Sequence, residues 1–203
     1  MLTLIHAPNS RSTRILQLIH EMGIEDRIEI KPVGIIYRDG SGTPDPANPH
    51  PEGKVPALIH DGTLITESGA IMLYLTALFP ESGLAPKPGS PERGAYLTWL
   101  FWYQGVMEPV MWMAGMGIDH PGLRRNFRGM AEVQARIRKA LAQGPWLCGE
   151  AYSAADLICG SAFAFFPQFV PDEPAFKDWV AACAARPALA RAKAEDAQMV
   201  VAA

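Results

Sequence analysis

Residues 48–69 read NPHPEGKVPALIHDGTLITESG, and the fold follows from them. Val55–His60 and Thr63–Thr66 are short apolar runs flanking Asp61-Gly62, a dipeptide that favours a two-residue hairpin turn. Glu67 and Ser68 then open a helix with Ile71, Leu75 and Leu78 on one face, stopped by Pro80. Upstream, Leu2–Ile5 reads as a buried strand. Asn9 or Ser10 is placed to cap a helix with the stripe Ile15, Leu16, Leu18, Ile19 and Met22, ended by Gly23, and Ile28–Val33 is a second strand. Strand, helix and strand within about thirty residues predict parallel pairing through a right-handed crossover. A glycine- and proline-rich loop follows, so the expected order is β, α, β, loop, β, β, α.

Beyond residue 80 the periodicity is helical throughout, with helices expected near 91–116, 123–143, 154–166, 173–185 and 187–200. The segment PESGLAPKPGSP, from Pro80 to Pro91, carries the signature of a linker. Two domains are expected, 1–80 and 87–203. Ser153 and Asp156 form a capping box, with Tyr152 and Leu157 at staple positions.

Composition narrows the function. The 203 residues carry a formal net charge of -3, and with a pI near 5.9 and a mean hydropathy of +0.04 there is no general positive field for nucleic acid or an acidic membrane surface. Arg124, Arg125, Arg128, Arg136, Arg138 and Lys139 read as a solvated helix face. Cys148, Cys159 and Cys183 fit neither a redox CxxC pair nor a zinc ribbon, and His6, His20, His60 and His120 show no metal-ligand spacing. No metal is expected. No apolar run approaches membrane-spanning length, and MLTLIHAPNSRSTR does not resemble a leader, so a cytoplasmic location is expected.

The same 48–69 stretch carries the candidate chemistry. A proline at the head of a strand removes a ladder donor, leaving Val55 with backbone groups to offer an extended peptide. Glu67 supplies a carboxylate for an amine, and Ser68 a hydroxyl at a helix start whose orphan N–H groups suit a carboxylate. An amino-acid head group bears both charges.

GKVPAL at 53–58, the ES pair at 67–68 and the SxxD box at 153–156 resemble the soluble glutathione S-transferase family, bacterial-like and of the serine type, over essentially the whole chain. The resemblance implies an α/β thioredoxin-like N-terminal domain followed by an all-α helical domain. It implies a cytoplasmic homodimer and a glutathione transferase of detoxification type, with glutathione as cosubstrate and no cofactor. Glu67 and Ser68 then hold the γ-glutamyl end, Val55 pairs with the cysteinyl backbone, and Pro56 is the cis-proline. Lys54 and His50 are candidates for the glycyl carboxylate, each with a plain alternative as a loop residue. At the sulfur, APNSRSTR (residues 7–14) offers no tyrosine or cysteine, which leaves Ser10, ahead of Ser12, or a bare capping role for Ser10 or Asn9. Arg11 beside them either adds positive potential or faces water.

A small hydrophobic electrophile is expected between the domains against Trp102, Tyr103 and Met107, in a methionine and aromatic stripe that equally describes core or subunit interface. Glu108, within that stripe, reads as a functional acid or a surface charge. The alternatives are a non-catalytic glutathione- or ligand-binding protein on the same fold, or a glutathione-dependent peroxidase or isomerase.

Overall fold

The computed structural model describes the backbone of residues 1–202 and the side chains of 1–200. It divides into two compact units, residues 1–82 together with the chain from Pro187 onward, and Gly83–Arg186. The expected second domain at 87–203 is thereby corrected: its last helix belongs with the sheet.

In the first unit β1 (Leu2–His6) leads through α1 (Thr13–Met22) to β2 (Ile28–Pro32), and after a long loop β3 (Ala57–His60) and β4 (Thr63–Thr66) form the hairpin that precedes α2 (Ser68–Leu78). The sheet order is β2-β1-β3-β4, with β1 and β2 parallel and the other pairs antiparallel. This mixed four-stranded sheet is thioredoxin-like. All five residues of β1 are buried, as expected for a central strand covered on both faces.

Helix α1 buries Ile15, Leu16, Leu18 and Ile19 and ends at Gly23, whose φ of 65° is a left-handed cap that a Cβ would strain. Along α2 the buried row is Ile71, Met72 and Leu75, whereas Leu78, expected on that face, is 40 % exposed. The strand expected from Val55 begins at Ala57, because Pro56 has no N–H for the ladder; the Val55–Pro56 peptide is cis. The helix α9 (Pro187–Ala202) completes this unit, packed on α1.

The second unit is helical: α3 (Pro91–Trp102), α4 (Glu108–Gly115), α5 (Pro121–Arg124), α6 (Met130–Leu141), α7 (Ala154–Phe165) and α8 (Pro174–Ala184). The single helix expected over 91–116 is interrupted by a π turn at Tyr103–Met107. Pro109, two residues into α4, lacks an N–H and its ring crowds the carbonyl four residues back, which widens the preceding turn. The helix expected over 123–143 is likewise two pieces, split ahead of Gly129, whose φ is 100°. The capping box before α7 is formed as the sequence requires. No described helix is long and apolar enough to cross a membrane.

Candidate functional site

Strand register brings the predicted residues to one end of the sheet. Ile5 lies opposite Ala57, and Ala57 opposite Thr66. Continuing the first pairing by two residues sets Val55 across from Ala7, and both side chains are buried in one apolar cluster with Val33, Ile35 and Ala57. The turn carrying Ser10, the cis Val55–Pro56 peptide and the Glu67–Ser68 helix start therefore leave three adjacent strands at the same edge. Three strands at about 4.8 Å spacing span about 10 Å, the length of an extended tripeptide.

Glu67 caps α2 with φ 70° and ψ 124°, a conformation a non-glycine residue adopts only when its surroundings impose it. Such strain costs about 1–3 kcal/mol and concentrates at ligand-binding positions. Ser68, the first residue of α2, is 6 % exposed.

The two serines are not equivalent. Ser12 is fully buried. Its Oγ accepts from the Ala7 N–H at 3.0 Å and donates to the Ala7 carbonyl at 3.0 Å, tying β1 to the start of α1. Ser10 is half-buried and its Oγ accepts from the Ser12 N–H at 3.1 Å. It lies 2.6 Å from the Ala7 carbonyl and 2.8 Å from Ser12 Oγ. Two hydroxyl protons thus share one carbonyl. The Ser10 proton can turn from that carbonyl to an incoming acceptor while Ser12 keeps the carbonyl bonded. Ser12, the alternative catalytic serine, is corrected to a structural role by its burial. The N-cap position of α1 falls to Ser12, which makes no side-chain bond to the helix, rather than to Ser10 or to Asn9, whose φ is 54°.

The turn is also held from two sides by residues the sequence reading passed over. Tyr37 donates its hydroxyl to the Pro8 carbonyl at 3.0 Å. A tight turn presents it, in which the Tyr37 N–H bonds the Ser41 carbonyl at 2.8 Å, and Gly42, at φ 86°, leaves no room for a Cβ beside the Ile35 carbonyl. From α9, Asp196 accepts from the Asn9 N–H at 2.7 Å, the Thr13 hydroxyl at 2.6 Å and His6 Nε2 at 2.9 Å. Burial pushes the Asp196 carboxyl up, but the bonds from His6, Thr13 and Asn9 outweigh it and hold the group below the usual carboxylate range. Burial and then the nearby Asp196 charge push the Tyr37 hydroxyl up. The one sequence signal was on α9 itself: Ala188, Ala192 and Asp196 recur every four residues and are all buried, so an acid sits in an apolar row.

Of the remaining candidates, Lys54 is exposed and paired with Glu52. His50 is 8 % exposed, and its Nδ1 accepts from the Glu52 N–H at 3.1 Å while its carbonyl accepts from the Gly53 N–H at 2.9 Å. His50 therefore knits the 48–54 loop, which is the plain alternative. Arg11 is exposed. Tyr103 and Met107 retain 1 % and 0 % exposure, and the Tyr103 hydroxyl donates to Glu108 at 3.0 Å. Trp102 meets the Trp99 ring edge-on, with the Arg136 guanidinium over it. The pocket assigned to these three is corrected for Tyr103 and Met107, which are closed to solvent on the same buried row as Trp99 and Met111, the core alternative that the stripe equally described; Trp102 is part-buried. Among the described residues no cluster has the makings of a metal site.

Two family models match the chain, the N-terminal domain of glutathione S-transferases over residues 10–78 and their C-terminal domain over 102–187. A disulfide-bond oxidoreductase of Escherichia coli, YfcG, is 28 % identical, with 95 % of this chain and 94 % of the relative aligned. Among solved structures, a glutathione transferase from Methylococcus capsulatus superposes with a TM-score of 0.76 at 26 % identity, over 98 % of this chain and 100 % of that one. A sphingomonad glutathione S-transferase complexed with glutathione gives a TM-score of 0.72 at 25 % identity, over 96 % and 98 %.

Proposed function

Because the chain belongs to the glutathione S-transferase family, we propose that it is a glutathione transferase in which Ser10 holds the sulfur as thiolate for attack on a small hydrophobic electrophile. The convergence of Ser10, the cis Val55–Pro56 peptide and Glu67–Ser68 on one sheet edge carries this reading. Glutathione enters as a cosubstrate: its γ-glutamyl head lies on Glu67 and Ser68, and its cysteinyl backbone pairs with Val55. A related structure holds glutathione, which supports the same ligand here.

The magnitudes are adequate. A free thiol titrates near 8.5, and lowering that by about two units takes about 2.7 kcal/mol of preference for the anion. A hydrogen bond to a charged group contributes about 1.5–3 kcal/mol and a helix N-terminus about 0.3–1 kcal/mol. The first turn of α1 contributes no acidic residue of its own, and the Asp196 carboxylate beside it is matched by donors from Asn9, Thr13 and His6. The thiolate carbon–sulfur bond forms as the electrophile's leaving group departs with its electron pair, or as a conjugated double bond takes up the electrons and then a proton. No covalent enzyme intermediate is involved. By family habit the working form is a cytoplasmic homodimer with a detoxification role.

The experiment is conjugation of glutathione to a chloronitroarene by wild type, Ser10→Ala and Ser12→Ala proteins. Ser10→Ala is expected to lose about 10- to 100-fold in kcat, the worth of one charge-assisted bond. Micromolar glutathione binding without turnover on any electrophile supports the non-catalytic alternative instead. The 28 % identity to a disulfide-bond oxidoreductase favours one further reading, glutathione-dependent reduction of a disulfide, seen as oxidised glutathione accumulating with a disulfide substrate.

A further inference from the structure

The carboxylate of Asp196 lies on the last helix and carries no assigned role, yet it makes the polar links that join α9 to the turn bearing Ser10. We propose that Asp196 is a positioning residue for the glutathione site: by accepting from Asn9, Thr13 and His6 it sets the Pro8–Thr13 turn, so that the geometry at the sulfur is fixed from the C-terminal helix. The inference rests on the transferase reading for its chemical consequence, though not for the anchoring.

Three observations carry it. The carboxylate is 1 % exposed, so water does not supply its bonds, and its donors come from three places: the end of β1, the turn and the first residue of α1. Asn9 sits at φ 54°, a conformation asparagine tolerates but does not prefer, and its N–H is the group that Asp196 Oδ2 holds at 2.7 Å. The next residue is Ser10. The Pro8–Asn9 peptide is gripped at both ends, its carbonyl by the Tyr37 hydroxyl and its N–H by Asp196, and losing the Asp196 end frees that peptide to tilt and carry Ser10 with it. His6 fits this role as a donor: with Nε2 on Asp196, its buried Nδ1 has no partner, which suits an unprotonated nitrogen because an orphan N–H would cost more. The bond from Nε2 thus orients the carboxylate.

The test compares wild type, Asp196→Asn and Ala192→Gly, the last a variant on the same buried row that loosens α9 without removing an acceptor. Amide exchange without ligand is read first. Asp196→Asn is expected to lose at least tenfold in protection at Asn9 and Ser10, with Ala192→Gly unchanged there at a matched loss of Tm. With glutathione, thiolate absorbance against pH is expected to move up by about one unit in Asp196→Asn, with kcat falling about tenfold and KM changing less than threefold. Unchanged exchange at Asn9 in Asp196→Asn, or an equal shift of the thiol titration in Ala192→Gly, overturns the proposal. A wild-type protein that takes up no glutathione overturns the transferase reading instead, and the exchange comparison still decides the anchor.

Discussion

Asp156 in the helical unit and Asp196 in the sheet unit are both withdrawn from water, at 0 % and 1 % exposure, and each binds several donors. Asp156 accepts from Ser153 N–H at 3.0 Å and from Leu147 N–H and Trp179 Nε1 at 2.8 and 3.0 Å, closing the start of α7 against its own neighbourhood. Asp196 instead reaches across 187 and 190 residues of chain to Asn9 and His6. Their titrations diverge as well. Burial dominates at Asp156 and lifts its carboxyl above the ordinary range, despite the bonds from Leu147, Trp179 and Ser153. At Asp196 the donors prevail. The same side chain thus serves in one unit as a local splice of the fold and in the other as a long-range brace for the turn that bears Ser10.

The largest effect expected on this contrast is from Asp156→Ala. It strands buried donors on Leu147, Ser153 and Trp179, at a cost of about 3–5 kcal/mol by denaturant titration. Glutathione affinity of the protein that remains folded should be unaltered, and a change in it would blur the division of roles. Ser12→Ala comes next, at about 1–3 kcal/mol of stability through the lost Ala7 bonds, whereas Ser10→Ala should stay within about 1 kcal/mol and show its loss in turnover. Equal stability losses for the two would break the distinction between them.

Acid sharpens the comparison further. Asp196 titrates low when folded, so its stabilisation is complete above the unfolded value near 3.9 and fades as pH falls through the lower folded value. Asp156 titrates high, so its folded state favours the protonated form and its contribution fades as pH rises through the interval above about 3.9. Amide exchange between about pH 4 and pH 2 should therefore show α9 and the Ser10 turn losing protection, with Asp196→Asn flattening that slope and Asp156→Asn leaving it. The smallest effect concerns Cys148, beside Leu147. Burial, against a bond with Ser153 and with the Asp156 charge adding to it, pushes this thiol up to about 11. Alkylation at pH 8 should be about 100-fold slower than for an unperturbed thiol, and Asp156→Asn should speed it modestly.

Much of the local structure around the candidate site was legible because it lies in short stretches. Proline before β3, the Asp61-Gly62 turn and the Glu67-Ser68 helix start each act within a few residues, and the structure keeps all three. The choice between Ser10 and Ser12 was only partly legible, since either hydroxyl suits the turn and burial alone separates them. Trp102, Tyr103 and Met107 went astray for a similar reason. Helical spacing places them on one stripe, but spacing alone does not say whether such a stripe faces a pocket or the core, and Tyr103 and Met107 fall in the core.

From the sequence alone came the sheet hairpin, the crossover helix, the capping box and the family, because periodicity, caps and turns are decided between neighbours in the chain. Tertiary structure alone decided that α9 joins the sheet unit and that an acid near the end of the chain grips the turn near its start. A buried carboxylate is stable only beside its donors, and donors some 190 residues away are found by packing, which no local pattern encodes.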